Sequence, residues 1–294
     1  MKTKSLFLLV VMFFAVHIVS AQNDILVNAK WLEKNINDDN LVIFYVGSQR
    51  AYNKGHIPGA IRLPSSRFTY DGNGKMYDLP TVEKLKQVFE SRGVSNNSKI
   101  VLYTSYIPSM TRLFFTLDYL GLGKNTHILD GGLVSWKANG GKLSTEAPTI
   151  KKGTLKIKGN DKVLAKKNDL LKIISNKSKN IVDCRATSFY KGIQVNRMQG
   201  GRKGHLPGAK TIPFTSLWKR SSNGATVFKS KNELAKIFES QGLSKNKGIV
   251  LYCHIGFQLT VVYTAAKILG YKDVRVYDGS MHEWGPDKSL PLEY

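Results

Sequence analysis

At 294 residues, 42% hydrophobic and 22% charged, the chain has the make-up of a soluble globular protein and is long enough for two domains of ordinary size. Its 44 Lys and Arg against 21 Asp and Glu give a net charge of +23, but the lysines are scattered and no aromatic-interleaved basic stripe accompanies them, so solvated surface charge is expected and nucleic acid is not. Two cysteines are too few for a disulfide framework, and no Cys/His set has metal spacing, so neither a metal nor another cofactor is expected.

The chain opens with Lys2 and Lys4, an apolar run from Leu6 to Val19, and small residues at Ser20 and Ala21. This is the pattern of a secretory signal peptide, and residues 1–21 are expected to be removed, leaving an exported protein, periplasmic or secreted, with no stable membrane insertion. Loss of Lys2 and Lys4 takes the charge from +23 to +21. No later segment is apolar enough to cross a bilayer.

The remainder of the chain is one unit written twice. Gly55-His-Ile-Pro-Gly-Ala60 recurs as Gly204-His-Leu-Pro-Gly-Ala209, and Ile100-Val-Leu-Tyr103 recurs as Ile249-Val-Leu-Tyr252, both 149 residues on. Leu129-Asp-Gly-Gly-Leu-Val-Ser-Trp136 returns as Tyr277-Asp-Gly-Ser-Met-His-Glu-Trp284 after 148. So long a period in matching order predicts a duplicated domain. In each copy apolar strands (41–46 and 100–103; 181–184 and 249–252) alternate with helical stretches (29–36 and 81–91; 231–240 and 259–269), which implies an α/β fold whose mainly parallel sheets are flanked by helices. Residues 22–140 form the first domain and 162–294 the second, with the lysine-rich 141–161 between them as a linker.

The second copy carries the chemistry. Ile249 to Tyr252 run straight into Cys253, and a short turn containing Gly256 leads into a helix from Leu259 to Leu269. A cysteine at the carboxyl end of a buried parallel strand, beside inward-pointing amides and a helix N-terminus, is placed to be a thiolate nucleophile. A small buried hydrophobe at a strand end is the plain alternative. Setting the copies against each other separates the two: Thr104 stands where Cys253 does, Tyr45 opposite Asp183 and Gly47 opposite Arg185. The first copy therefore lacks nucleophile, acid and arginine together, and is expected to be non-catalytic scaffold.

These residues resemble the rhodanese superfamily in its tandem two-domain form, the thiosulfate or 3-mercaptopyruvate sulfurtransferases. The likeness rests on the paired Gly-His-x-Pro-Gly-Ala turns, on Val182-Asp183-Cys184-Arg185, on the loop from Cys253 to Gly256 and on the two Asp-Gly-x-x-x-x-Trp endings. It implies two rhodanese-like domains and an enzyme that takes a sulfane sulfur from a small anionic donor onto Cys253 as a persulfide, then gives it to cyanide, a thiol or a protein acceptor. Arg185 resembles the family's donor-binding arginine, His254, Ile255, Gly256, Phe257 and Gln258 are expected to cradle the sulfur and shape the donor pocket, and Asp183 to order the loops by accepting hydrogen bonds. An 11-residue excess between Tyr190 and Gly204 brings Arg197 and Arg202 into the second copy alone, and Arg202 is assigned to substrate contact. His56 and His205, present in both copies, are expected to be structural, as are Trp136 and Trp284.

Two other readings stay open. A dual-specificity phosphatase of related fold needs an arginine six residues after the cysteine, where this chain has Leu259. A non-enzymatic sulfur-carrier or binding module on the same scaffold would also use Cys253. A bridge between Cys184 and Cys253 is a further alternative, since both fall at strand ends on one edge.

Overall fold

The computed structural model describes residues 24–69, 79–197 and 201–294; the signal peptide expected at residues 1–21 lies outside them. The first sheet has five parallel strands, β1 (Leu26–Val27), β2 (Leu41–Tyr45), β3 (Ala60–Arg62), β4 (Lys99–Tyr103) and β5 (Thr126–Leu129), in the order β1-β5-β4-β2-β3. The second sheet is built from β6 (Asn180–Asp183), β7 (Lys210–Thr211), β10 (Ile249–Tyr252) and β11 (Val274–Val276), in the order β11-β10-β6-β7. A parallel bridge from Leu164 to Val276 stands where β1 stands in the first sheet, so both copies share one strand order. Between β7 and β10 in sequence, β8 (Trp218–Arg220) and β9 (Thr226–Phe228) form an antiparallel hairpin.

Register settles the alignment of the copies without reference to side chains. Tyr45 pairs with Tyr103 in the first sheet as Asp183 pairs with Tyr252 in the second, so Tyr45 does occupy the place of Asp183 and Thr104 the place of Cys253. The strands read as continuous apolar runs because helices cover both faces; Ile249, Val250, Leu251 and Tyr252 are all fully buried. Trp136 and Trp284 are buried as expected, and His56 and His205 stack at 3.8 Å on Tyr52 and Tyr190 while meeting the carbonyls of those same tyrosines through Nδ1.

The halves meet through corresponding helices. Ile107–Tyr119 and Leu259–Leu269 each follow the loop after their copy's central strand, and the hydroxyls of Thr111 and Thr260, equivalent positions, lie 2.9 Å apart in the buried interface. A pseudo-twofold axis therefore passes between them. Phe115 sits edge-on to Tyr263 at 5.0 Å, and a single hydrophobic cluster runs from Phe44 and Leu102 in one half to Leu251 and Val262 in the other. The segment expected as a linker lies against the first half instead of hanging free: Ser144 bridges to His56, Gly153 N–H donates to the Glu90 carbonyl, and Leu155 is buried.

A core continuous across both halves predicts one cooperative unfolding transition rather than two. Phe115→Ala, which empties the centre of that interface, is expected to cost about 3–5 kcal/mol and to lower the single midpoint seen in denaturant by circular dichroism.

Candidate functional site

Cys253 follows the last residue of β10, and its side chain has no solvent exposure. Its own N–H and that of Gly256 both donate to the Ser280 hydroxyl oxygen, at 3.0 and 3.2 Å, and that oxygen lies 3.9 Å from the Cys253 sulfur. The loop is stitched from outside by Met281 and His282, whose N–H groups donate to the carbonyls of Cys253 and His254. Among the described residues, the N–H groups of His254, Ile255 and Gln258 donate to no protein acceptor, and the buried Oε1 of Gln258 has no partner either. Buried polar groups are normally satisfied, so the Gln258 Oε1 stands out in this loop.

Gly256 sits at φ +74, and a Cβ there would overlap the Asp278 carboxylate, so both the turn and the close approach require glycine. Ser280 is the opposite case. It holds φ +50, the value Gly132 takes at +51 in the first copy, where a serine is strained by about 1–3 kcal/mol. The hydroxyl that reaches the cysteine loop is what that strain secures.

Asp183 and Arg185 form a closed, buried unit. The Asp183 carboxylate accepts from the Arg185 backbone N–H at 2.9 Å, from its Nε and Nη2, and from the Tyr252 hydroxyl at 2.8 Å. Arg185 Nη2 also donates to the Gly204 carbonyl at 2.7 Å. Among the described residues Nη1 has no protein acceptor, and the guanidinium is near enough to Cys253 for each charge to act on the other. The Asp183 carboxylate thus fixes the orientation of Arg185.

His254 is neutral at ordinary pH. Burial, and then the positive charge of Arg185, hold its imidazole down to about 4, and its ring stands edge-on to Phe189 at 4.5 Å. It shapes the wall beside the sulfur and brings no charge to it. Ile255 and Phe257 are half-buried, and Phe257 stacks on Tyr106 of the first half at 6.5 Å. Arg202 Nη1 donates at 2.9 Å to the carbonyls of both Asp287 and Leu290, tying down the C-terminal segment. Arg197 is exposed on the same insertion. Cys184 lies at the adjacent strand end as a free thiol, and burial, followed by the neighbouring Cys253 and Asp183, pushes it well above the usual range, so it does not compete as a nucleophile. Among the described residues no group of three His, Cys, Asp or Glu side chains gathers as a metal site would.

The equivalent place in the first copy is filled differently. The Tyr45 ring lies where Asp183 and Arg185 lie in the second copy, and Gly47 is pressed so closely against it that a Cβ would overlap the ring. Over Thr104 opens a cavity of about 380 Å³, closed on one side by Arg220 and Phe228 of the hairpin. Asp130 at its floor accepts the Phe228 N–H at 2.9 Å, and burial raises its carboxyl to about 6.

Two residues of the catalytic-loop surroundings escape the sequence reading: Ser280 and Arg112. Ser280 had a signal, because the comparison of copies that isolates Cys253 also sets Ser280 against Gly132. Arg112, whose Nη1 donates to the Gly256 carbonyl at 2.7 Å, comes from the other half of the molecule, and no local pattern predicts such a contact.

Comparison with known proteins gives a consistent result. The family model described as Rhodanese-like domain matches residues 28–139 and again 166–287. A sulfur carrier protein, TtuD, of Thermus thermophilus is 30% identical over 92% of this chain and 97% of its own length. A provisionally named thiosulfate sulfurtransferase of Mycobacterium leprae is 30% identical over 93% of this chain and 99% of its own. The crystal structure of SseA from Escherichia coli, described as a 3-mercaptopyruvate sulfotransferase, superposes with a TM-score of 0.76 at 26% identity, over 87% of this chain and 98% of that one.

The depressed imidazole makes an acid-side prediction. Below the ordinary value of 6.5 the unfolded chain binds a proton that folded His254 refuses until about 4, so the stability present above pH 6.5 falls by about 3 kcal/mol as the pH drops through that window. His254→Gln is expected to flatten the loss, as measured by urea unfolding at pH 7 and pH 4.5; an unchanged slope would show that the ring is solvated.

Proposed function

Because this chain belongs to the rhodanese-like family and is a sulfurtransferase, we propose that it carries the transferred sulfur as a persulfide on Cys253, taken from thiosulfate or 3-mercaptopyruvate and passed to a thiophilic acceptor. The observation that carries this reading is the set of N–H groups at His254, Ile255 and Gln258, without protein acceptors among the described residues, in the loop that follows a thiol at the end of a parallel strand. The Cys253 thiolate attacks the outer sulfur of thiosulfate, the sulfur–sulfur bond breaks, and sulfite leaves with the bonding pair; Cys253 then bears a terminal sulfur with one negative charge. Cyanide or a thiolate attacks that sulfur and returns the Cys253 thiolate. Preorganised N–H donors favour the charged sulfur without reorganising at the moment of reaction.

In this reading Arg185 holds the donor's anionic end through Nη1, its other donors being fixed on Asp183 and Gly204. The strongly basic surface would draw such an anion in, an effect that added salt weakens. The relatives' names point to both donors, thiosulfate for the Mycobacterium leprae protein and 3-mercaptopyruvate for SseA, and the Thermus thermophilus name points to a sulfur carrier. We also propose that residues 1–21 direct export, on the strength of the basic start and apolar run; N-terminal sequencing of protein recovered outside the cytoplasm should begin at Gln22, and a start at Met1 would reject it.

Incubation with either donor in the absence of an acceptor should leave the protein one sulfur atom heavier by intact mass spectrometry, and cyanide should remove that atom as thiocyanate. Cys253→Ser should abolish both events, while Cys184→Ser should retain them. Arg185→Lys, which keeps charge but loses the fork, is expected to raise the donor KM about 10-fold or more. Loading with sulfur that only a protein acceptor removes would favour the carrier reading.

A further inference from the structure

Arg112 is fully buried on Ile107–Tyr119, a helix of the half that has no nucleophile, yet its guanidinium is spent across the interface. Nη1 donates to the Gly256 carbonyl at 2.7 Å and to Asp278 Oδ1 at 2.5 Å, and Nη2 to Asp278 Oδ2 at 2.9 Å. The pseudo-twofold relation supplies a built-in comparison: the equivalent position on Leu259–Leu269 is Val261, also fully buried. The fold accepts a valine there. A buried guanidinium is costly to desolvate, and well-packed apolar residues commonly do as well or better for stability, so the arginine calls for another explanation.

Its contacts supply one. A trans peptide is planar, with the C=O of one residue and the N–H of the next on opposite edges. Drawing the Gly256 carbonyl toward Arg112 therefore turns the Phe257 N–H the other way. On its amino side Gly256 is held by Ser280, so this glycine, the most adaptable residue in the loop, is fixed at both edges. The second contact acts through a different element. Asp278 lies two residues before Ser280, whose hydroxyl oxygen accepts from two loop N–H groups and lies 3.9 Å from the Cys253 sulfur. One side chain thus fixes both walls of the cysteine loop.

We infer that Arg112 is a positioning residue for sulfur transfer: the half without a nucleophile reaches across the interface and holds the Cys253 loop in the shape that receives the transferred sulfur. This rests on the persulfide reading above. The non-catalytic half then completes the active site, touching neither donor nor sulfur.

The test is single-turnover loading of Cys253 by thiosulfate and by 3-mercaptopyruvate, followed by mass spectrometry in full-length protein. Arg112→Lys keeps the charge but cannot serve a carbonyl and both carboxylate oxygens at once. It is expected to slow loading at saturating donor by about 10–100-fold, somewhat less than the loss of a whole preorganised donor, with the donor KM changed by less than about 3-fold. Tyr263→Phe removes another buried contact between the halves, the 2.6 Å hydrogen bond to Asp118, and should lower stability while leaving the loading rate within about 2-fold. A folded Arg112→Lys protein that loads at the wild-type rate, or a Tyr263→Phe protein slowed to the same degree, overturns the inference. Should Arg112→Lys fail to fold, the neutral pair Arg112→Met with Asp278→Asn, which leaves no buried charge unpaired, decides by the same rates. Wild-type protein that never takes up sulfur overturns the persulfide reading, and this inference with it; wild-type loading with unimpaired variants overturns the inference alone.

Discussion

The packing of Ile107–Tyr119 against Leu259–Leu269 is the constraint on which the rest of the molecule depends. Each helix begins just past the loop that follows its copy's central strand, so placing one against the other also places the two loops, with Tyr106 stacked on Phe257 across the boundary. Because the cores merge through these helices, neither half can shift without opening apolar surface. A sulfur site whose donors must be in place beforehand benefits from that rigidity: the loop is held by hydrogen bonds from Met281, His282, Ser280 and Arg112, drawn from two other elements.

Much of this was legible in the sequence because duplication makes a chain its own comparison. Shared features, such as the Gly-His-x-Pro-Gly-Ala turns with their histidines stacked on tyrosines, belong to the scaffold, and Cys253 with Asp183 and Arg185 stands out by being confined to one copy. Apolar runs placed the strands, and Gly270 closed the last long helix where its left-handed turn required it. Even the pairing of Tyr45 with Asp183, inferred from a spacing, reappears in the strand registers.

What stayed hidden depends on distance along the chain. Arg202 lies on an insertion confined to the second copy, but which carbonyls it meets is set by the path of the C-terminal segment, more than 80 residues on. His254 is next to the nucleophile in sequence, yet its charge state follows from burial and from Arg185, neither of which a motif records. Arg112 is the strongest case, since its role exists only where two copies face each other. Sequence pattern reports what a residue is and what its near neighbours are; desolvation and cross-interface partners are properties of the assembled fold.

Tyr45 and Gly47 bear on the history of the silent half. Writing a cysteine back at Thr104 would set a thiol before a phenol ring with no counterpart of Arg185, and an arginine cannot return at Gly47 while that ring remains, because its first carbon would collide with it. The tyrosine would have to leave first, opening a hole in the packing between β2 and β4 before any activity repaid the loss. Reversion thus faces a ratchet: each step back is unfavourable until all are taken, however long the halves remain recognisable as twins.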